Sequence, residues 1–197
     1  MKTINEIYNE MLDNSLNDYE RVGWGSTRSQ ETRFSILTEI GDLNNKSILD
    51  VGCGLGSILQ FINKKHSILS YTGIDINPNM IDEAKKKNPN AEFKMLDITR
   101  DLDQLNNRKF DYVFLSGAFN LNENNHSNNI KRVIKEIFEL TNKGLALNFL
   151  SIFSDYLIPG EYYCNPSDIL DYSFSLTKKV TLRHDYMPHD FTIYLYK

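Results

Sequence analysis

Three glycines at alternate positions, Gly52, Gly54 and Gly56, close an apolar run that begins at Ile48, and Asp50 stands two residues ahead of the first. Glycine at the end of a buried strand lets the chain turn tightly and lets a ligand reach the main chain with no Cβ in the way. A second acid, Asp75, ends the next apolar run, where a carboxylate can accept both hydroxyls of an adenosine ribose. A third, Asp97, follows the third run. A bare strand-to-helix turn accounts for the glycines, but it gives no use for an acid at the next strand end.

Two kinds of nucleoside ligand share this logic. A nicotinamide dinucleotide sets its pyrophosphate on a helix N-terminus and asks for G-x-G-x-x-G spacing. Here the place of the third glycine in that pattern is taken by Ser57. Asp50, just ahead of the loop, also sets negative charge near where a pyrophosphate would lie. A ligand that carries positive charge and no phosphate suits the loop better.

The elements that must position these residues are legible in the apolar spacing. Ile4, Ile7, Tyr8, Met11 and Leu12 repeat at helical intervals. After a loop around Gly23-Trp24-Gly25, Thr27 and Gln30 have capping-box spacing, Phe34, Leu37 and Ile40 line one face, and Gly41 ends the helix. From Ser47 onward strands alternate with amphipathic helices. Strands are expected at Ile48–Val51, Tyr71–Ile76, Ala91–Leu96, Phe110–Leu115 and Gly144–Leu150. Helices are expected from Ile58, from Asn77-Pro78 to Asn88-Pro89, from His126 to Asn142, and from Asn165-Pro166 to about Leu176, two of them opened by an Asn cap with Pro in the first turn. Val180–Tyr186 and Phe191–Tyr196 also read as strands with only four residues between them. No crossover helix fits there, so these two are antiparallel neighbours. The expectation is an α/β fold, a Rossmann-like, mostly parallel sheet with an antiparallel last strand and helices on both faces. It forms a single domain, 1–197, in which 1–44 is an N-terminal helical lid and 45–197 the core.

Composition narrows the classes. The 197 residues are 41% hydrophobic and 24% charged, with net charge −4 and a pI near 5.6. A nucleic-acid enzyme carries a basic face; the lysine run here, Lys85-Lys86-Lys87, reads as the wet side of a helix, so no nucleic acid is expected. No apolar run approaches the roughly 20 residues that span a bilayer, and the N-terminus lacks the core of a signal peptide, so a cytoplasmic location without membrane attachment is expected. Cys53 and Cys164 make no disulfide framework, no Cys/His cluster has metal-site spacing, and no metal is assigned. Cys53 reads as a small filler inside the glycine loop. The abundance of Asn, Lys and Ile points to an AT-rich bacterial genome.

The run LDVGCGLG, followed by GIDINPNMIDEA and then FKMLDI, resembles the class I S-adenosylmethionine-dependent methyltransferases over roughly Asn45 to Ser151. The resemblance implies the seven-stranded sheet of that family, with S-adenosyl-L-methionine as cofactor. It implies that Gly52, Cys53, Gly54 and Gly56 admit the methionine and ribose portion, that Asp75 binds the ribose hydroxyls, and that Ile76 and Met80 pack against adenine. It further implies that Asp97 and the Ile98 amide meet the adenine edge, and that Asp50 supports the loop or the amino group. Arg33 and Gln30, on the helix before the sheet, and Ser116, after the fourth strand, fall at the methionine end; a guanidinium pairs well with a carboxylate. Asp97 also suits a cap on the turn at Ile98-Thr99.

Methyl transfer to a hydroxyl requires alignment of the reactants and removal of a proton. The segments after strands four and five, Ser116–Asn120 and Ser151–Tyr156, are expected beside the methyl group. The closing hairpin returns His184 and His189 to the same rim, and His126 opens the fourth helix; these are the candidate bases, histidine being the side chain whose charge changes near neutral pH. Trp24, Tyr162 and Tyr163 are candidate pocket walls. Methyltransferases that act on amino groups of nucleic-acid bases carry an Asn/Asp-Pro-Pro-aromatic run after strand four, and SGAFN departs from it. The expected acceptor is therefore a small hydroxylated metabolite or sugar. N-methylation of a small molecule or protein is the alternative within the class, and an NAD-binding oxidoreductase or a non-catalytic cofactor-binding protein the alternatives outside it.

Overall fold

The computed structural model describes residues 4–12, 16–105, 108–121 and 126–197. Three helices precede the sheet, α1 (Ile4–Met11), α2 (Asp18–Arg21) and α3 (Thr27–Thr38). Then come β1 (Ser47–Val51), α4 (Ser57–Asn63), β2 (Ser70–Asp75), α5 (Pro78–Lys87), β3 (Glu92–Met95) and a 3-10 turn at Leu102–Leu105. The chain ends with β4 (Phe110–Ser116), α6 (His126–Glu139), β5 (Thr141–Leu150), α7 (Pro166–Leu176), β6 (Val180–Arg183) and β7 (Asp190–Tyr196).

The seven strands lie in the order β3-β2-β1-β4-β5-β7-β6, and β7 alone runs antiparallel to its neighbours. The chain winds outward from β1 through β2 to β3, then crosses to β4 on the other side of β1. That reversal opens a crevice at the carboxyl ends of β1 and β4, the place where open α/β sheets bind ligands. Because side chains alternate along a strand, the sheet buries two separate cores. Ile48, Tyr71, Phe93, Phe114 and Tyr194 pack under α3, α4 and α5. Leu49, Val51, Leu115, Leu147 and Ile193 pack under α6 and α7, where Ile130, Val133, Ile134 and Ile137 form the helical stripe. Burying such side chains contributes about 1.5–3 kcal/mol apiece.

Several boundaries differ from those expected, and three of them have a clear local reason. The cap of α3 is Ser26, whose side chain accepts from the Ser29 amide, so Thr27 is the first helical residue and Thr27/Gln30 do not form the capping box. β5 starts at Thr141 because a bulge opposite Phe110–Tyr112 lets Thr141 pair with Phe110 before Gly144 pairs with Tyr112. β6 stops at Arg183: the Arg183 side chain is drawn to Glu39 (2.5 Å) and Asp185 (2.7 Å), and His184 turns to Ser151. None of the described helices is long and apolar enough to cross a membrane.

Candidate cofactor and acceptor site

The glycine loop leaves β1 with Gly52, Gly54 and Gly56 all at positive φ (73°, 51° and 71°). A Cβ on Gly52 would sit 2.7 Å from the Ala118 Cβ, so the β1 and β4 loops meet only because the position is glycine. The loop is held from β2. Asp75 Oδ2 accepts from the Gly54 amide at 2.8 Å, and Oδ1 accepts from the Asn77 amide at 2.9 Å. Each oxygen keeps lone-pair capacity for a further donor. Burial pushes the Asp75 carboxyl above the usual range, against the pull of the amide hydrogen bonds.

Asp50 stands beneath the loop on the α3–α5 face of the sheet and accepts from the Tyr71 hydroxyl at 2.5 Å. Burial pushes its carboxyl up to about 7, the Tyr71 hydrogen bond opposing and Asp75 adding. Cys53 turns into the core beside Gly73 and Phe93, with its thiol raised well above the usual range by burial, which leaves only its main chain at the crevice. Ile76 is half-buried after β2, and Met80 is buried on the first turn of α5. Asp97 Oδ1 is used by Thr99, accepting from its amide at 2.8 Å and its hydroxyl at 2.7 Å, so the acid does close the turn; Ile98 lies half-buried within it. Gln30 is buried on α3.

A second polar group lies at the far side of the crevice. Ser116, Asn148 and Thr192 are neighbours across β4, β5 and β7. Asn148 donates to the Tyr186 hydroxyl at 2.9 Å, and Tyr186 and Thr192 share a 2.8 Å hydrogen bond. Arg33, buried on α3, pairs with the fully buried Asp190 at 2.5 Å and lies 4.2 Å above the Trp24 ring. Trp24 in turn covers Gly117, and Val22 covers Gly54. Burial pulls the Arg33 guanidinium down and pushes the Asp190 carboxyl up, and each partner's charge counters the other's shift. In this group Ser116 Oγ, Arg33 Nε, Asn148 Oδ1 and both Asp190 oxygens receive or give no well-directed hydrogen bond. A buried polar atom without a partner costs about 1–3 kcal/mol. Arg33 Nε and the Ser116 hydroxyl as donors, and Asn148 Oδ1 and the ion-paired Asp190 carboxylate as acceptors, thus lie buried at one rim with hydrogen-bonding capacity unused.

The candidate bases separate in space. His184 Nε2 is 2.8 Å from Ser151 Oγ at the end of β5, and its ring stacks on Phe191 with Phe153 at its edge. The His189 side chain is 41% exposed and 3.7 Å from Asp190 Oδ2, and its carbonyl accepts from the Ser151 amide. His126 begins α6, but its side chain lies outside the described residues. Asn148, Tyr186 and Ser151 were not singled out individually by sequence reasoning. The available signal was Asn148 itself, a lone amide within the apolar run of β5.

A family model described as a methyltransferase domain matches residues 48–144, from β1 into the first half of β5. A Mycobacterium tuberculosis protein described as a methyltransferase is 29% identical over 161 residues, covering 77% of this chain and 93% of its own. The malonyl-[acyl-carrier protein] O-methyltransferase of Acetivibrio thermocellus is 26% identical over 190 residues, covering 80% of this chain and 65% of its own. Among solved structures, an Archaeoglobus fulgidus S-adenosylmethionine-dependent methyltransferase superposes with a TM-score of 0.72 at 14% identity, covering 94% of this chain and all of its own. The Synechocystis magnesium protoporphyrin IX methyltransferase superposes with a TM-score of 0.68 at 18% identity, covering 98% and 93%.

Proposed function

The chain belongs to the class I S-adenosylmethionine-dependent methyltransferases, and from that premise we propose that it methylates the oxygen of a small hydroxylated acceptor, a metabolite or a sugar. S-adenosylmethionine supplies a methyl group made electrophilic by a sulfonium whose positive charge is lost on transfer. The chain's own residues have four tasks. Asp75 accepts from the ribose hydroxyls while its amide bonds keep the glycine loop in shape. Ile76 and Met80 wall the adenine, and Asp97, whose Oδ2 is left by Thr99 and has the exposed Arg100 guanidinium 3.6 Å away, receives its amino group beside the Ile98 amide. Ser116, Arg33 and Gln30 hold the methionine end, and Asp50 braces the main chain of Gly52, Cys53, Gly54 and Gly56 from below. The segment before β1, which lays Val22 on Gly54 and Trp24 on Gly117, is the lid that keeps water out.

His184 is the favoured base. Its Nε2 shares a 2.8 Å hydrogen bond with Ser151 Oγ, and in the tautomer that donates there Nδ1 is left to take the proton of the acceptor hydroxyl. His189 and His126 are the remaining candidates. The observation that carries this reading is the pair of buried oxygens on Asp75, one bound to the glycine loop and one to the start of α5, at the end of β2. Replacement by alanine tests it. Asp75→Ala should weaken S-adenosylmethionine binding at least about tenfold by calorimetry, since a hydrogen bond to a charged group is worth about 1.5–3 kcal/mol. Wild-type affinity in a folded Asp75→Ala protein would remove the ribose assignment. Stabilisation by NAD with none by S-adenosylmethionine would replace the whole reading.

A further inference from the structure

The loop from Ile152 to Glu161 has a feature that methyl transfer to a sugar does not use. Ile152, Phe153, Tyr156, Leu157 and Ile158 are all exposed, whereas the other large apolar side chains exposed among the described residues are scattered along the chain. Phe153 is 63% exposed, Tyr156 83% and Leu157 61%. Single apolar residues at a surface need no explanation, but a contiguous cluster marks a contact site.

This loop has a defined backbone that holds those side chains outward. Ser154 Oγ donates to the Tyr156 carbonyl at 2.7 Å and accepts from its amide at 3.2 Å. The Ile158 amide donates to the Tyr163 hydroxyl at 3.0 Å, which itself donates to Glu161 at 2.6 Å. Both ends are stitched to the rim where the methyl group is delivered. The Ile152 amide donates to the Cys164 carbonyl at 3.1 Å, the Cys164 amide donates to the Leu150 carbonyl at the end of β5 at 2.8 Å, and the Tyr162 amide donates to the Asn120 carbonyl, just past β4, at 2.8 Å. Phe153 lies edge-on to His184, whose Nε2 bonds Ser151. Between Ile152 and Ile158 the one charged residue is Asp155. An apolar surface thus begins at the proposed base and runs outward along the loop.

We propose that this loop binds the apolar body of the acceptor, so that the hydroxyl presented to His184 is carried on an alkyl or aryl group and not on a free sugar. The inference rests on the O-methyltransferase reading above and deepens it. Its continuity with the base selects the acceptor as occupant: a partner docked there would cover the entrance to the site.

A series of 4-alkylphenols with side chains of one to six carbons tests it, because the hydroxyl stays constant while the apolar body grows. The series is titrated by calorimetry into protein saturated with S-adenosylhomocysteine. The dissociation constant should fall about fourfold per added methylene over the first few steps, and glucose at the same concentrations should give no heat. In the triple variant Tyr156→Ser, Leu157→Ser, Ile158→Ser the dependence should drop below twofold per methylene, with affinity for S-adenosylhomocysteine within twofold of wild type. All three side chains are exposed, so the fold should tolerate the change. Constant affinity along the series, or an undiminished slope in the variant, overturns the proposal. So does loop-dependent sedimentation with phosphatidylglycerol vesicles, or a loop-dependent dimer, when the series shows no slope. Failure of S-adenosylhomocysteine to bind strikes the cofactor reading alone, because the slope is read equally well in the protein without it.

Discussion

Asp50→Asn isolates a charge that the fold buries beneath its glycine loop. Asp50 is 4% exposed and accepts a 2.5 Å hydrogen bond from Tyr71, and burial, with Asp75 adding, raises its carboxyl from 3.8 to about 7. A raised carboxyl means that the folded protein holds this proton more tightly than the unfolded chain does. The stabilisation is fully present below about pH 3.8 and is lost as the pH rises through about 7. Three units at about 1.4 kcal/mol each amount to about 4 kcal/mol, a large share of the 5–15 kcal/mol typical of a domain. Asparagine keeps an acceptor for Tyr71 and has no proton to lose. Urea unfolding followed by circular dichroism from pH 4.5 to 8.5 gives both stabilities. The stability of Asp50→Asn minus that of wild type should climb by about 3–4 kcal/mol between pH 4.5 and 7.5 and then level off. Any cost of seating the new amide is independent of pH and only offsets the curve. A flat difference would show that Asp50 ionises as it does in water, and a difference that falls with pH would mean that the charged form is the one the fold stabilises.

The remaining predictions concern the base and the loop. His184→Gln should lower kcat by about a hundredfold or more with S-adenosylmethionine affinity unchanged, whereas His189→Gln should stay within about threefold of wild type; the reverse order in steady-state rates would move the proton to His189. Gly52→Ala places a methyl 2.7 Å from Ala118 at a φ of 73°, for a cost of about 1–3 kcal/mol. At about 2–4 °C per kcal/mol for a chain of this size, the melting temperature should drop by several degrees, and an unchanged value would show that the two loops separate at no cost.

The amino-acid sequence alone was enough for the order of the strands and of the helices between them, and for the sense of each strand, though two helices were expected before β1 and the short α2 and the 3-10 turn at Leu102–Leu105 were not. Helical and strand periods are local, and the four residues between Tyr186 and Phe191 leave no room for a crossover, so β7 had to be reversed. Gly52, Gly54, Gly56 and Asp75 were legible in the same way, because alternate glycines at a strand end and an acid at the next strand end have few other uses. Boundaries that depend on distant partners were not legible: β6 gives way at Arg183 to contacts with Glu39 and Ser151, far away in the chain. The partners of the site residues were hidden for the same reason. Arg33 was read as a partner for the cofactor's carboxylate, yet it pairs with Asp190, and Asp50 was read as a support for the loop or the amino group, yet its hydrogen bond comes from Tyr71. Which polar side chains share a rim follows from the strand order β1-β4-β5-β7 and its register. Only the folded sheet sets that order, since the pairings join residues far apart in sequence whose local patterns are alike.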